Sequence, residues 1–216
     1  MKIYLSPSNQ QDNIYNDGRN ECDVCFETAR LLYEMLAGVG VEVYLPNKTD
    51  TLSQRIVQSN KLKCDYHIPI HTNAGGGNGT RIFVYPPNVN NKMAKSILKH
   101  VGEWSVGKTD KVVTNTTFRE IKETSAIAIY IEGEFHDTNG NHIKPEEYSA
   151  SIFLGICEAL GITAKPTNAK TDEIPNVDDG GKFYRVQIGA YKDRKNAERA
   201  CREIRDKGLK AYIDYH

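Results

Sequence analysis

Three side chains in this sequence have the types needed to activate water together. His71 closes a short apolar run, Tyr66, Ile68 and Ile70, and is followed by Thr72, Asn73, Ala74 and then Gly75-Gly76-Gly77-Asn78-Gly79. That pattern reads as a buried strand delivering an imidazole to the rim of a sheet. In α/β folds ligands bind at the carboxyl ends of strands. Glu132 lies at the end of another apolar run, residues 126–131, where a carboxylate is costly unless it is paired or bound to a metal. Glu21 opens the first long helical pattern, after a loop from the first strand. An imidazole and two carboxylates are what a hydrolytic zinc site uses: neutral nitrogen and anionic oxygen ligands, an open position for water, and a free carboxylate as base. Singly, each has an ordinary explanation; a first-turn Glu, for instance, complements the helix dipole. Their shared rim carries the reading.

The elements that must position these groups alternate. A strand at residues 3–5 leads into a long polar loop, 6–20, whose length marks it as functional or mobile. A helix is expected over 21–37, with Cys25, Ala29, Leu32 and Leu36 on one face, Asn20 as N-cap and Gly38 as stop. Strands follow at 41–45, at His71, at 81–85 and at 125–135. Helices are expected at 52–62, 92–101 and 147–160. This βαβ plan predicts an α/β domain, a mostly parallel sheet with helices on both faces, over residues 1–163. Residues 164–181, with Pro166, Pro175, Gly180 and Gly181, read as a linker. Residues 182–216 read as a small β-α-β unit: a strand at 183–188, a helix at 196–207 and a strand at 211–213.

Composition excludes several classes. Twenty-eight basic residues balance 28 acidic ones, so no global field points to nucleic acid or to an anionic membrane. No apolar run spans a bilayer. The N-terminus lacks signal-peptide features, so the expectation is a protein cytoplasmic when made that reaches the cell wall after release. The five cysteines are scattered and odd in number, which fits a reducing compartment; Cys25 of the Cys22–Cys25 pair reads as core.

With these motifs in hand, residues 1–160 resemble the zinc-dependent N-acetylmuramoyl-L-alanine amidases of the Amidase_3 type, found in sporulation, cell separation and phage lysis. Glu21 matches a metal-binding Glu opening helix one. His71-Thr72-Asn73-Ala74 matches a strand ending His-x-Asn-Ala. Ile131-Glu132-Gly133-Glu134-Phe135 matches a strand whose Glu is catalytic, with Glu134 where glycine is usual. The resemblance implies a zinc cofactor and cleavage of the amide between N-acetylmuramic acid and the first alanine of the peptidoglycan stem peptide. The pattern is broken at the turn after strand one. Pro7-Ser8-Asn9 stands where the family has Pro-Gly-His, so Asn9 replaces a metal-binding histidine. His136, directly after the Glu132 strand, is the expected replacement ligand. His67, roughly 13 Å before His71 along a strand, is expected to lie too deep. Asn9 and Asn73 are the expected substrate contacts. The tail, Tyr184-Arg185-Val186-Gln187-Ile188-Gly189-Ala190-Tyr191 with Asn196-Ala197-Glu198, resembles the first half of a sporulation-related (SPOR) repeat, a peptidoglycan-binding domain. Half such a domain is expected either to pair with a second copy, giving a homodimer through residues 182–216, or to dock on its own catalytic domain or belong to a truncated product. Two further readings stay open: an inert amidase fold that binds cell walls, and a zinc peptidase acting within the stem peptide.

Overall fold

The computed structural model describes residues 1–107 and 109–163, together with Arg194. By its internal contacts the chain divides into two units, residues 1–169 and 170–216. Everything below concerns the first; the expected tail strands and helix lie outside the described residues.

Six strands form one sheet in the order β2-β1-β3-β6-β4-β5. They are β1 (Lys2–Pro7), β2 (Glu42–Tyr44), β3 (Tyr66–Asn73), β4 (Arg81–Val84), β5 (Lys111–Thr114) and β6 (Ile127–Phe135). All neighbours run parallel except β4 and β6, which are antiparallel. The helices are α1 (Glu21–Gly38), α2 (Leu52–Leu62), α3 (Lys92–Trp104), α4 (Arg119–Lys122), α5 (His136–Asn139) and α6 (Pro145–Leu160).

Period-two alternation sorts the strands' two faces. Ile3, Leu5, Ile68, Ile70, Ile129 and Ile131 pack in one cluster with Leu32 and Leu36 of α1, Ile97 and Val101 of α3, and Ile152 and Ile156 of α6. The intervening residues face the other way. There Tyr4 stacks on His67 and bonds Gln58 of α2, while Ser6 and His67 meet Glu120 of α4. A smaller cluster, Ile121, Ala128 and Tyr130 with Phe83 and Phe118, covers that second face. The sheet therefore has helices on both sides, and its polar second face leads up to His71.

Sequence signals and structure agree closely where capping chemistry is explicit. Asn20 caps α1 by accepting from Asp23 N, and Thr51 and Gln54 form a reciprocal capping box at α2. Three short elements, β5, α4 and α5, are additional to those read from the sequence. Among the described residues no helix is long and apolar enough to cross a membrane. Cys22, Cys25, Cys64 and Cys157 are buried and free.

Candidate active site

Parallel pairing of β3 with β6 puts His71 directly beside Glu132. The register then slips: one residue separates His71 from Asn73, and two separate Glu132 from their partner Phe135. Bulges of this kind re-aim side chains beside active sites. Gly133 sits in the bulge because nothing larger fits. A Cβ there would come within 2.4 Å of the Tyr148 ring, and the Tyr148 hydroxyl donates to the His71 carbonyl at 2.9 Å.

Glu21 arrives from α1. The 8–20 loop that delivers it is tied down at several points. Ser8 N donates to the Ile70 carbonyl, Ile14 and Asn20 form an antiparallel bridge, and Arg19 donates to the Gly140 and Ile143 carbonyls. Glu21 is fully buried. Its Oε1 lies 2.9 Å from His71 Nδ1 and accepts from Thr72 N, and its Oε2 accepts from Asn13 Nδ2 at 2.6 Å. The His71 ring stacks on Tyr130 at 4.5 Å between centroids. Burial pushes the His71 imidazole down, but the Glu21 hydrogen bond and the nearby carboxylates outweigh it and hold it above its ordinary value. Burial likewise pushes Glu21 up, and its bonds to His71 and Asn13 bring it below the ordinary range.

Glu132 has the opposite fate. Its Oε2 is buried without a hydrogen-bond partner, and burial pushes the carboxyl up to about 8, opposed by the His71 charge and aided by that of Glu21. A carboxyl tuned towards neutrality in a cleft fits a proton-transfer role.

The structure does not bring His136 to this group. The ring is buried, stacked on Tyr15, and its Nδ1 lies 3.0 Å from Thr72 Oγ1, which also meets the Tyr15 hydroxyl at 2.9 Å. Thr72 follows His71 on the strand, so its side chain leaves the opposite face. The described contacts of His136, the ligand expected from the sequence, are thus with Thr72 and Tyr15. Among the described residues no three His, Cys, Asp or Glu side chains are grouped to hold a metal ion. From the turn after β1 it is Gln10 that approaches, its Nε2 3.4 Å from His71 Nδ1. Asn9 is exposed and lines, with Gln10, His71, Tyr130, Arg55 and Glu120, a cleft of about 180 Å³. Asn73 is half-buried at the strand end, and its Oδ1 accepts from Ala74 N.

His67 is buried beneath the cleft, as its depth on β3 implied. Its Nε2 lies 3.0 Å from Glu120 Oε1. Glu120, Gln10 and Asn13 were not legible as site residues. Ser6 and His67 are polar positions on a strand face, and their need for buried partners was the one available signal for Glu120.

The Amidase_3 family of N-acetylmuramoyl-L-alanine amidases matches residues 8–161. The chain belongs to that family. The SPOR domain family matches residues 158–214, starting within α6. The whole chain is similar to the N-acetylmuramoyl-L-alanine amidase CwlM of Bacillus licheniformis, 27% identical over 230 residues, 100% of this chain and 85% of the relative. It is similar to the sporulation-specific N-acetylmuramoyl-L-alanine amidase of Bacillus subtilis (strain 168), 24% identical across 99% of this chain and 84% of that one. In fold, the amidase domain resembles the catalytic domain of CwlV from Bacillus (Paenibacillus) polymyxa var. colistinus, with a TM-score of 0.63 at 20% identity, covering 75% of this chain and 99% of that one. It also resembles AmiC2 of Nostoc punctiforme, with a TM-score of 0.61 at 17% identity, covering 74% and 97%.

Proposed function

We propose that this chain hydrolyses the amide between the lactyl group of N-acetylmuramic acid and L-alanine in peptidoglycan, with zinc held by Glu21 and His71 and with Glu132 as general base. The observation that carries the reading is the Glu21–His71 pair set beside the unpartnered Glu132 carboxylate. Glu21 Oε1 and His71 Nδ1, 2.9 Å apart, are near enough to share one ion with bonds of about 2.0–2.2 Å. They supply two strong donors, and Gln10 Nε2 lies 3.4 Å from that nitrogen. Zinc bound there supplies Lewis-acid chemistry, polarising a carbonyl and making water nucleophilic near neutral pH.

The chain's own residues do the rest. Asn13 holds the outer oxygen of Glu21, Tyr130 fixes the plane of the His71 ring, and Tyr148 holds the His71 backbone. Once ionised, as the charge of zinc on the neighbouring Glu21 and His71 would favour, Glu132 Oε2 has no internal bond to break and takes the proton of the attacking water, returning it to the leaving amine. Asn9 lines the cleft beside His71 and contacts the substrate there; Asn73 does so at the end of β3. The SPOR segment holds the chain on peptidoglycan.

A second reading has a specific observation behind it. The third metal donor is missing from the turn after β1, so the domain would bind walls without cutting them. Digesting purified walls separates the readings. Release of free amine supports hydrolysis, and its absence supports the inert domain. Mass spectrometry of the products distinguishes the lactyl–alanine bond from one inside the stem peptide.

A further inference from the structure

The glycine loop after His71 cannot hold itself. It leaves β3, the strand of His71, after Asn73 and enters β4 at Arg81, the cross-strand neighbour of Glu132, so it crosses the end of β6 between them. Positions 75, 76, 77 and 79 are glycine, and Gly75, Gly76 and Gly79 have φ of +113°, +72° and +81°. Ordering such a chain loses more conformational entropy than ordering any other residues.

Most of its restraints come from one short stretch, residues 134–138, with Thr109 Oγ1 adding a bond to the Asn78 carbonyl at 2.6 Å. Asp137 Oδ2 accepts from Gly75 N and Gly76 N, each at 2.8 Å. Thr138 Oγ1 donates to the Gly77 carbonyl at 2.9 Å. The Phe135 ring lies over Gly77, where a Cβ would come within 2.6 Å of it. Glu134 is fully buried and does more. Its Oε1 accepts from Gly79 N at 3.0 Å, Phe135 N at 2.8 Å and Asn139 Nδ2 at 3.4 Å. Its Oε2 accepts from Val106 N at 2.8 Å and Gly107 N at 3.3 Å. Among the described residues each of these partners is a donor, which matches the acceptor-only oxygens of a carboxylate. One side chain, placed by the β6 bulge, thus fastens the glycine loop, the segment after α3 and the end of β6.

We propose that Glu134 is a positioning residue: it welds residues 75–79 and 106–107 into one rigid rim beside His71 and Glu132, against which the substrate polymer lies. The identity of that polymer rests on the amidase reading above. Gln at this position keeps the shape but must point an NH2 group at a ring of donors, releasing one loop. Gly removes the clamp entirely.

The test compares Glu134→Gln and Glu134→Gly with their parent, all carrying Glu132→Gln so that no turnover occurs. Amide hydrogen exchange reports the rim, and calorimetry with a soluble muramyl tripeptide reports its use. The proposal expects exchange to quicken at least ~100-fold at Gly79, Val106 and Gly107 in Glu134→Gly, and at either Gly79 or the Val106–Gly107 pair in Glu134→Gln, as charge-assisted bonds are lost. It expects affinity to fall at least ~10-fold, about 1.4 kcal/mol. Faster exchange with unchanged affinity would make Glu134 a brace only, and unchanged exchange would overturn the clamp itself. Should both variants fail to fold, Glu134→Asp, which keeps the charge but draws the carboxylate back from Gly79, Val106 and Gly107, carries the same two expectations. A parent that binds no muramyl tripeptide contradicts the amidase reading and takes the positioning claim with it. A parent that binds, with variants that bind equally, contradicts the positioning claim alone.

Discussion

A buried carboxylate oxygen without a partner is costly, and Glu132 holds one. Glu132→Gln should keep the fold and lose at least ~100-fold in wall hydrolysis, the lower end for removing a general base. Near-parental lysis would remove Glu132 from that role. The same variant makes a stability prediction for the chelated protein. The native carboxyl titrates near pH 8 against an ordinary value of 4.5, so between those values the folded state keeps a proton that the unfolded state has lost. Stability of the parent therefore falls as pH rises across that window, and Gln has no such term. Urea titrations should show the variant gaining on the parent from about pH 4.5 to 8, by on the order of a few kcal/mol, and level beyond. His71 and His136 divide differently. The Glu21 carboxylate stabilises the His71 proton against burial, so zinc must displace that proton and affinity should rise with pH. His71→Ala should abolish zinc retention. His136→Ala should leave it intact and lower the melting temperature, because that ring is bound to Thr72 and Tyr15. Zinc loss in His136→Ala would restore it as a ligand.

At the scale of elements, what could be read was what local chemistry dictates. The start of α1 follows from Asn20, and the Thr51–Gln54 capping box that the structure shows at α2 is local chemistry of the same kind. What could not be read was set by tertiary contact. The four-residue α4 has no period to detect, and Glu120, lying between Arg119 and Lys122, looks like part of a solvated face. It is buried because Ser6 and His67 meet it across the sheet. Likewise the adjacency of His71 and Glu132 depends on the β3–β6 register, which no single-strand pattern contains. Which side His136 takes past the β6 bulge also cannot be counted from strand alternation in the sequence. The N-cap carries a prediction of its own. Asn20→Ala should cost about 1 kcal/mol of stability. Because Glu21 is the next residue, it should also weaken zinc binding measured by chelator competition. A stability loss with unchanged zinc affinity would uncouple the cap from the site.

At the scale of the whole molecule, the chain joins an Amidase_3 domain to a SPOR segment. The sequence reading gave that segment one β-α-β unit, too little apolar surface to be stable alone. Two copies would complete a four-stranded sheet about a two-fold axis. Sedimentation should therefore show the full chain dimeric and a chain ending at Thr163 monomeric at tens of micromolar. Two monomers would end the pairing idea. The catalytic claim is independent of it and has its own direct test. Purified peptidoglycan is incubated with the zinc-loaded full chain, with the chelated chain and with Glu132→Gln, and the soluble products are weighed by mass spectrometry. The account predicts stem peptides with a free N-terminal alanine and intact glycan from the zinc-loaded chain alone. Walls left uncut by the zinc-loaded chain, or products broken within the stem peptide, would contradict it.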